Sequence, residues 1–296
     1  MAMTGSVLDV CLALLLVSAA AVTLVGADGQ ATRTDALGDG SDLAGETGSA
    51  DDAVAVLATT TAAIEYDLGS GSTTDPSPAA ARVAHGTLAE HLARVAVRSA
   101  TLDGTTLSPA TADYRRGVRA AVNDAVGSNI AVRVRWRPVA GAGLAGDVRV
   151  GGDPPSDASV SAARIAVPVP GATASRPNVS TADASASTPD RHRERAAVAV
   201  ATLFPPDRIA ATARGDDPGA AAVRERYRRA DSALGTDALE AVERGSPRAA
   251  NRRLAAALAT RARDADDTGG SAAAGAATRT DDPVGTVVIV VRAWSA

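Results

Sequence analysis

His85, His91 and His192 are the only imidazoles in this 296-residue chain, Cys11 is its only thiol, and all 30 basic side chains are arginine. Without lysine there is no phosphate-loop lysine, no Schiff base and no Ser–Lys dyad. No His-Glu-x-x-His, Cys-x-x-Cys or Gly-x-Ser-x-Gly spacing occurs, so neither a zinc site nor a nucleophile elbow is encoded. If His85 and His91 share a helix they stand about 120° apart on it, too far to chelate one ion unaided. All three histidines are expected at the surface or its boundary. Gly141-Ala142-Gly143-Leu144-Ala145-Gly146 satisfies G-x-G-x-x-G, but dinucleotide binding needs a helix to begin there, with its amide end toward the pyrophosphate. Asp147-Val148-Arg149-Val150 follows and reads as strand, so the glycines are expected in a hairpin loop. The residues thus predict no catalytic, cofactor-binding or metal site, and no cofactor.

Arginine is the one cationic side chain present in quantity. Arg133, Arg135 and Arg137 alternate with Val132, Val134 and Trp136, and further clusters lie at Arg191–Arg195 and Arg224–Arg229. The net charge is −4, acids are interspersed, and the aromatic residues number six: Phe204, Trp136, Trp294, Tyr66, Tyr114 and Tyr227. That balance argues against nucleic acid as a partner. Solvated arginine faces paired with acids are expected, with partner docking as their other use.

The elements that must position these residues begin with an apolar run. Val10–Ala27 carries no charge, and the run starts at Val7. Val7, Leu12, Leu14, Leu15, Leu16, Val17, Val22, Leu24 and Val25 would face lipid in a helix about 28 Å long, close to a bilayer core. Asp28, Asp35, Asp39, Asp42 and Glu46 follow against a lone Arg33, a flank that places the body outside the cell. Two other readings stay open: a secretory leader cut between Ala27 and Asp28, and a buried helix of a soluble protein. Cys11 within the run excludes an intramolecular disulfide and reads as a small apolar residue.

Gly5-Ser6-Val7-Leu8-Asp9 before the apolar stretch resembles the start of type IV pilin-like proteins. The segment also resembles the N-termini of haloarchaeal membrane-anchored proteins associated with pilin-like gene clusters. The resemblance implies a leader cut between Gly5 and Ser6, a retained helix, and as partners membrane lipid and other pilin-like membrane subunits. Two departures stand beside it: Met1–Thr4 carries no basic residue, and Asp9 sits one place early for the acidic position of the helix.

Along the rest, residues 1–27 form the anchor or leader, 28–50 a flexible acidic linker, 51–170 an α+β body, 171–190 a linker and 191–264 a helical part. Residues 265–282 read as a low-complexity linker and 283–296 as the C-terminal strand of the body. Val54–Leu68 fits both helical and strand spacing, and Thr59–Thr61 favours strand. Ser77-Pro78 and Ser108-Pro109 each open a helix, the first with a Leu88/Leu92/Val95 face and a Glu90–Arg94 pair, the second closed by Gly127. Ile130–Trp136, Asp147–Val150 and Val160–Val169 read as strands, the last at an edge because of Pro168 and Pro170. Val284–Val291 is continuously apolar, as in a strand buried on both faces. Asn178-Val179-Ser180 is a candidate N-glycosylation site at Asn178. The fold class expected is α+β: an N-terminal transmembrane helix, then a mixed sheet with packed helices, completed by a C-terminal strand.

Overall fold

The computed structural model describes residues 49–67, 81–108, 111–169, 188–213, 218–268 and 284–295. All belong to one compact unit, 47–296. The expectations at Gly5, Ser6, Val7–Val25, Ala27, Asp28, Ser77-Pro78 and Asn178 lie outside the described residues.

The first described element is a helix, α1 (Ala50–Thr59), where the threonine run predicts strand. Its start is set by a capping box: Ser49 Oγ accepts from the Asp52 amide at 3.1 Å, and Asp52 Oδ2 accepts from the Ser49 amide at 3.0 Å. The β-branched threonines end it, and strand β1 (Thr61–Asp67) begins one residue later. β1 pairs antiparallel with β2 (Ala81–Thr87). Residues 81–87 are therefore strand, where the Ser77-Pro78 start predicts helix. The helix carrying Leu88, Leu92 and Val95, α2 (Leu88–Arg98), opens instead at Thr87. There Glu90 folds back to accept from the Thr87 amide at 3.0 Å, completing a second capping box.

A short hairpin, β3 (Thr101–Leu102) and β4 (Thr105–Thr106), leads to α3 (Ala112–Val126), which Gly127 closes at φ +82° as the sequence predicts. β5 (Ile130–Trp136), β6 (Leu144–Val150) and β7 (Val160–Pro168) follow. Five helices come next: α4 (Thr188–Leu203), α5 (Pro206–Thr212), α6 (Pro218–Leu234), α7 (Ala238–Glu243) and α8 (Pro247–Asp267). The last element is β8 (Thr286–Trp294).

β8 does not join an edge. The six-stranded sheet has the order β4-β3-β6-β5-β8-β7, so the final strand lies between β5 and β7, with β7 at the edge. Every pairing in it is antiparallel, which corrects the mixed sheet expected from sequence. Antiparallel neighbours leave one face free of crossover helices, and such a sheet can stay wet on one side.

The inner face carries Ile130, Val132, Val134 and Trp136 of β5, Val148 and Val150 of β6, and Val287, Ile289, Val291 and Ala293 of β8, all buried. α1 packs on β7 and β8, while α2 crosses β5 to β8 on the same side. α2 is buried at eight of its eleven positions, half of them alanine or histidine. It lies close because Gly146 has no side chain: a Cβ there would come within 2.1 Å of the Ala96 carbonyl oxygen. α3 packs on α2 and β1, and α4 pairs with α8, around which α5, α6 and α7 gather. Asp231 of α6 ties that group by accepting from the Ala238 and Leu239 amides at 2.8 Å, supplying the cap that α7 lacks.

On the other face β8 presents buried Val288 and half-buried Val290, with no second layer of helices among the described residues. The sidedness is testable with adjacent residues. Ile289→Ala removes a fully buried side chain lying between Val134 and Ile165 and is expected to cost about 3 kcal/mol in urea unfolding. Val290→Ala, one step along on the outer face, should cost about 1 kcal/mol or less.

Candidate functional site

The outer face, which no helix covers among the described residues, is built by strand parity. Alternation on β5 sends Arg133 and Arg135 outward, and on β6 it sends Asp147 and Arg149 to the same side. On β8 the outward set is Val288, Val290, Arg292 and Trp294, and on β7 it is Val160, Ala162, Arg164 and Ala166. The register aligns these into rows. Arg149, Arg133, Val290 and Arg164 lie side by side across β6, β5, β8 and β7; Asp147, Arg135, Val288 and Ala166 form the next row. Arg292 lies between Ala131 and Ala162 in a further row.

Arg133 directly opposite Arg149 is a like-charge pair, which on its own destabilises the ladder. Asp147 offsets it by serving three guanidiniums. Its Oδ2 accepts from Arg133 Nη2 at 3.1 Å and stands 3.8 Å from Arg135 Nε, while its Oδ1 is 3.7 Å from Arg149 Nε. One carboxylate cannot balance three cations. Arg135 shows the residue of that imbalance: burial, then the Arg133 and Arg137 charges, lower its pKa against the opposing pull of Asp147. The Nε atoms of Arg133 and Arg135 are enclosed and have no hydrogen-bond partner among the described residues. Among the described residues such a surface is under-supplied with negative charge, and arginine's two-pronged donor geometry suits carboxylate or phosphate oxygens.

The other candidate residues are occupied structurally. His85 lies on β2 and His91 on α2, so the two do not share a helix. His91 is not at the boundary but fully buried. Its Nε2 is 3.0 Å from the Ala62 carbonyl oxygen, which can only accept, so Nε2 carries the proton; Nδ1 then accepts from the Tyr114 hydroxyl at 2.7 Å. Burial lowers the His91 pKa and raises that of Tyr114. Arg98 closes the group, its guanidinium 5.1 Å and 5.5 Å from the Tyr114 and Tyr66 ring centres. His192 is also buried, donating from Nε2 to Asp266 Oδ2 at 2.9 Å.

Among the Arg224–Arg229 side chains, Arg228 and Arg229 pair with Glu225 as the solvated reading predicts. Arg226 departs from that reading. It is half-buried, its guanidinium 4.9 Å from the Phe204 ring centre and its enclosed Nε without a hydrogen-bond partner among the described residues; burial first, then the Arg98 charge, bring its pKa down to about 10. In the cluster at Arg191–Arg195, Arg193 pairs with Asp190, and Arg195 Nε donates to the Pro138 carbonyl at 3.2 Å.

The glycine motif is a hairpin, as expected, with β6 beginning inside it at Leu144. Gly141 and Gly143 have φ of +74° and +71°, and a Cβ on Gly141 would meet the Ala265 side chain of α8 at 2.8 Å. These glycines serve packing and turn geometry. Among the described residues no group of three or more His, Cys, Asp or Glu could hold a metal ion, and no helix is long and apolar enough to cross a membrane.

Sequence reading found the Arg133/Arg135 pair but missed Asp147, Arg149, Arg164, Arg292 and Trp294 as its neighbours. The alternation of β6 and β7 carried part of that signal; the register that brings β8 between β5 and β7 did not show. Together the fold and the face define an α+β protein with an antiparallel sheet, helices on one side of it and, among the described residues, an arginine-rich surface without helices on the other. The chain belongs to a family of unknown function, DUF7284, whose model matches residues 8–294. No curated protein and no solved structure matches it.

Two outcomes follow from these groups. His91 is held neutral in the fold, so below its unfolded pKa of about 6.5 the unfolded chain takes up a proton that the folded chain resists. Its contribution is therefore full above about pH 6.5 and falls on acidification. His91→Gln should lose about 1–3 kcal/mol at neutral pH, and the gap to the parent in urea midpoints should narrow at about pH 5. Asp147→Asn, at a half-exposed position, should change stability by about 1 kcal/mol or less in thermal unfolding, despite removing three ion pairs.

Proposed function

We propose that this chain is a non-enzymatic, membrane-anchored extracytoplasmic protein, acting as an accessory component of a pilin-like surface or secretion assembly. In this reading Val7–Val25 is a transmembrane helix and the α+β body stands outside the cell. The observation that carries the reading is the span of the family match: from residue 8 to residue 294 it takes in both the apolar run and the body. A hydrophobic segment belonging to the family together with the body is what a retained anchor requires. The acidic flank after the run supports the outward orientation. Ser18-Ala19-Ala20-Ala21 offers small residues for close contact with a neighbouring helix. The engagement of His91 and His192 in structural hydrogen bonds supports a role other than catalysis.

A second reading, an exported ligand-binding domain released by cleavage after Ala27, draws on the arginine face, which is a surface suited to an anionic ligand. Intact mass of the protein extracted from membranes separates the two. The expected mass retains Val7–Val25, and loss of Met1–Gly5 alone would mark pilin-like processing. A mature chain beginning at Asp28 would overturn the anchor and select the released domain.

A further inference from the structure

We propose that the outer edge of β7 pairs with the same edge of a second copy of this chain, so that the two sheets run on as one across a two-fold axis. The inference does not depend on the anchored reading. It starts from the direction in which the strand's backbone groups point. The Val169 amide donates to the Gly285 carbonyl at 2.7 Å, and the Trp294 amide to the Asn129 carbonyl at 3.2 Å. In these registers β8 bonds β5 through its even-numbered residues and β7 through its odd-numbered ones. The odd residues of β7 therefore face β8, and the amides and carbonyls of Val160, Ala162 and Ala166 point away from it. Among the described residues no strand lies on that side of β7, and no side chain bonds these three residues' edge groups.

Another edge of the same length, that of β2, is treated differently. There the odd residues point away from β1, because the Leu88 amide donates to the Thr60 carbonyl. Side chains take up three of their groups. Glu90 accepts from the Thr87 amide at 3.0 Å, Arg94 Nη1 donates to the His85 carbonyl at 3.2 Å, and Arg82 Nη1 donates to the Ala81 carbonyl at 2.8 Å. β7 has a register unbroken by any bulge from Val160 to Pro168, and its edge-facing Val160, 43% exposed, Ala162 and Ala166 are all exposed. An edge of this kind is a template for another strand.

The residues of β7 favour a second copy as that strand. A two-fold axis centred on Ala163 sets Val160 opposite Ala166 of the second copy and Ala162 opposite its Arg164, so edge-facing residues meet edge-facing residues throughout. Pro168 has the same parity but no amide to give, and it falls outside the paired stretch. The charges agree with this register. It leaves the two Arg164 side chains on diagonal positions, whereas centring on Arg164 sets them face to face and centring on Ile165 draws Pro168 into the ladder.

Ala163 then faces its own counterpart in a non-hydrogen-bonded pair, with Cα atoms about 4.5 Å apart and within reach of a disulfide. Full-length protein in detergent should show twice the chain mass in sedimentation equilibrium. Ala162→Pro removes an edge-facing amide but no bond to β8, so it should halve that mass while keeping the parent's far-ultraviolet circular dichroism. In a Cys11→Ala background, Ala163→Cys should give a disulfide-linked dimer on mild oxidation. Ser161→Cys and Ile165→Cys, each about 14 Å from its own counterpart, should give none. If the proline variant does not fold, the cysteine series decides alone. A parent of single-chain mass overturns the proposal, and so does equal cross-linking at all three positions. A dimer that folded Ala162→Pro leaves intact also overturns it, and places the contact elsewhere, as between the Val7–Val25 segments.

Discussion

The structure depends on how closely α2 can lie on the sheet. With six aromatic residues in 296 and an alanine-rich interior, individual side chains bury little area, so cohesion must come from backbones brought near each other. Gly146 opens the sheet to the Ala96 carbonyl, and Ala89, Ala93 and Ala96 let the helix sink until eight of its positions are enclosed. Any larger residue at that crossing would lift α2 and open a layer that the small side chains around it could not refill. Because α1 and α2 take the inner face, and α4 to α8 cluster around α8, the outer face is left to solvent among the described residues.

A helix so deeply enclosed carries its polar atoms at a cost, and His91 shows how that cost is met. Both ring nitrogens are satisfied, one by β1 through the Ala62 carbonyl and one by α3 through Tyr114. One side chain thereby fixes a hairpin and a helix against α2, where an apolar residue of the same volume would fix neither. Arg226 is the contrasting case: its charge is held over the Phe204 ring and near the Arg98 cation. The same chain thus uses buried polarity in two ways, fully satisfied at His91 and only partly at Arg226.

Much of this was legible in the residues. The alternation of Ile130–Trp136, the edge position of Val160–Val169, the Gly127 stop, the glycine hairpin and the apolar final strand all follow from period and turn chemistry, which are local. The errors had a common source in signals that compete locally. Thr87-Leu88-Ala89-Glu90 spells a capping box, yet Ser77-Pro78 offered an earlier start, and Glu90 read as a partner for Arg94 concealed its bond to the Thr87 amide. Ser49 and Asp52 held the same message ahead of α1, and three threonines outweighed it. The arginine face was half legible. Parity on β5 announced it, but its extent depends on the β6, β8 and β7 registers, which are set by pairings far apart in sequence. His91 was misplaced because nothing near it in the chain indicates that Ala62 and Tyr114 would enclose it.

The place of β8 has a consequence in time. β5 ends at residue 136 and its partner begins at 286, while β7, complete by residue 168, has only that same late strand as a neighbour in the sheet. Until β8 is available, among the described residues β5 has one open edge, β7 is unpaired in this sheet, and the inner face beneath α1 is incomplete. Closing loops of this length is slow and is rewarded only once the whole strand docks. Synthesis from the ribosome therefore delivers β5 and β7 more than a hundred residues before the strand that joins them, so this part of the sheet closes late relative to its other elements.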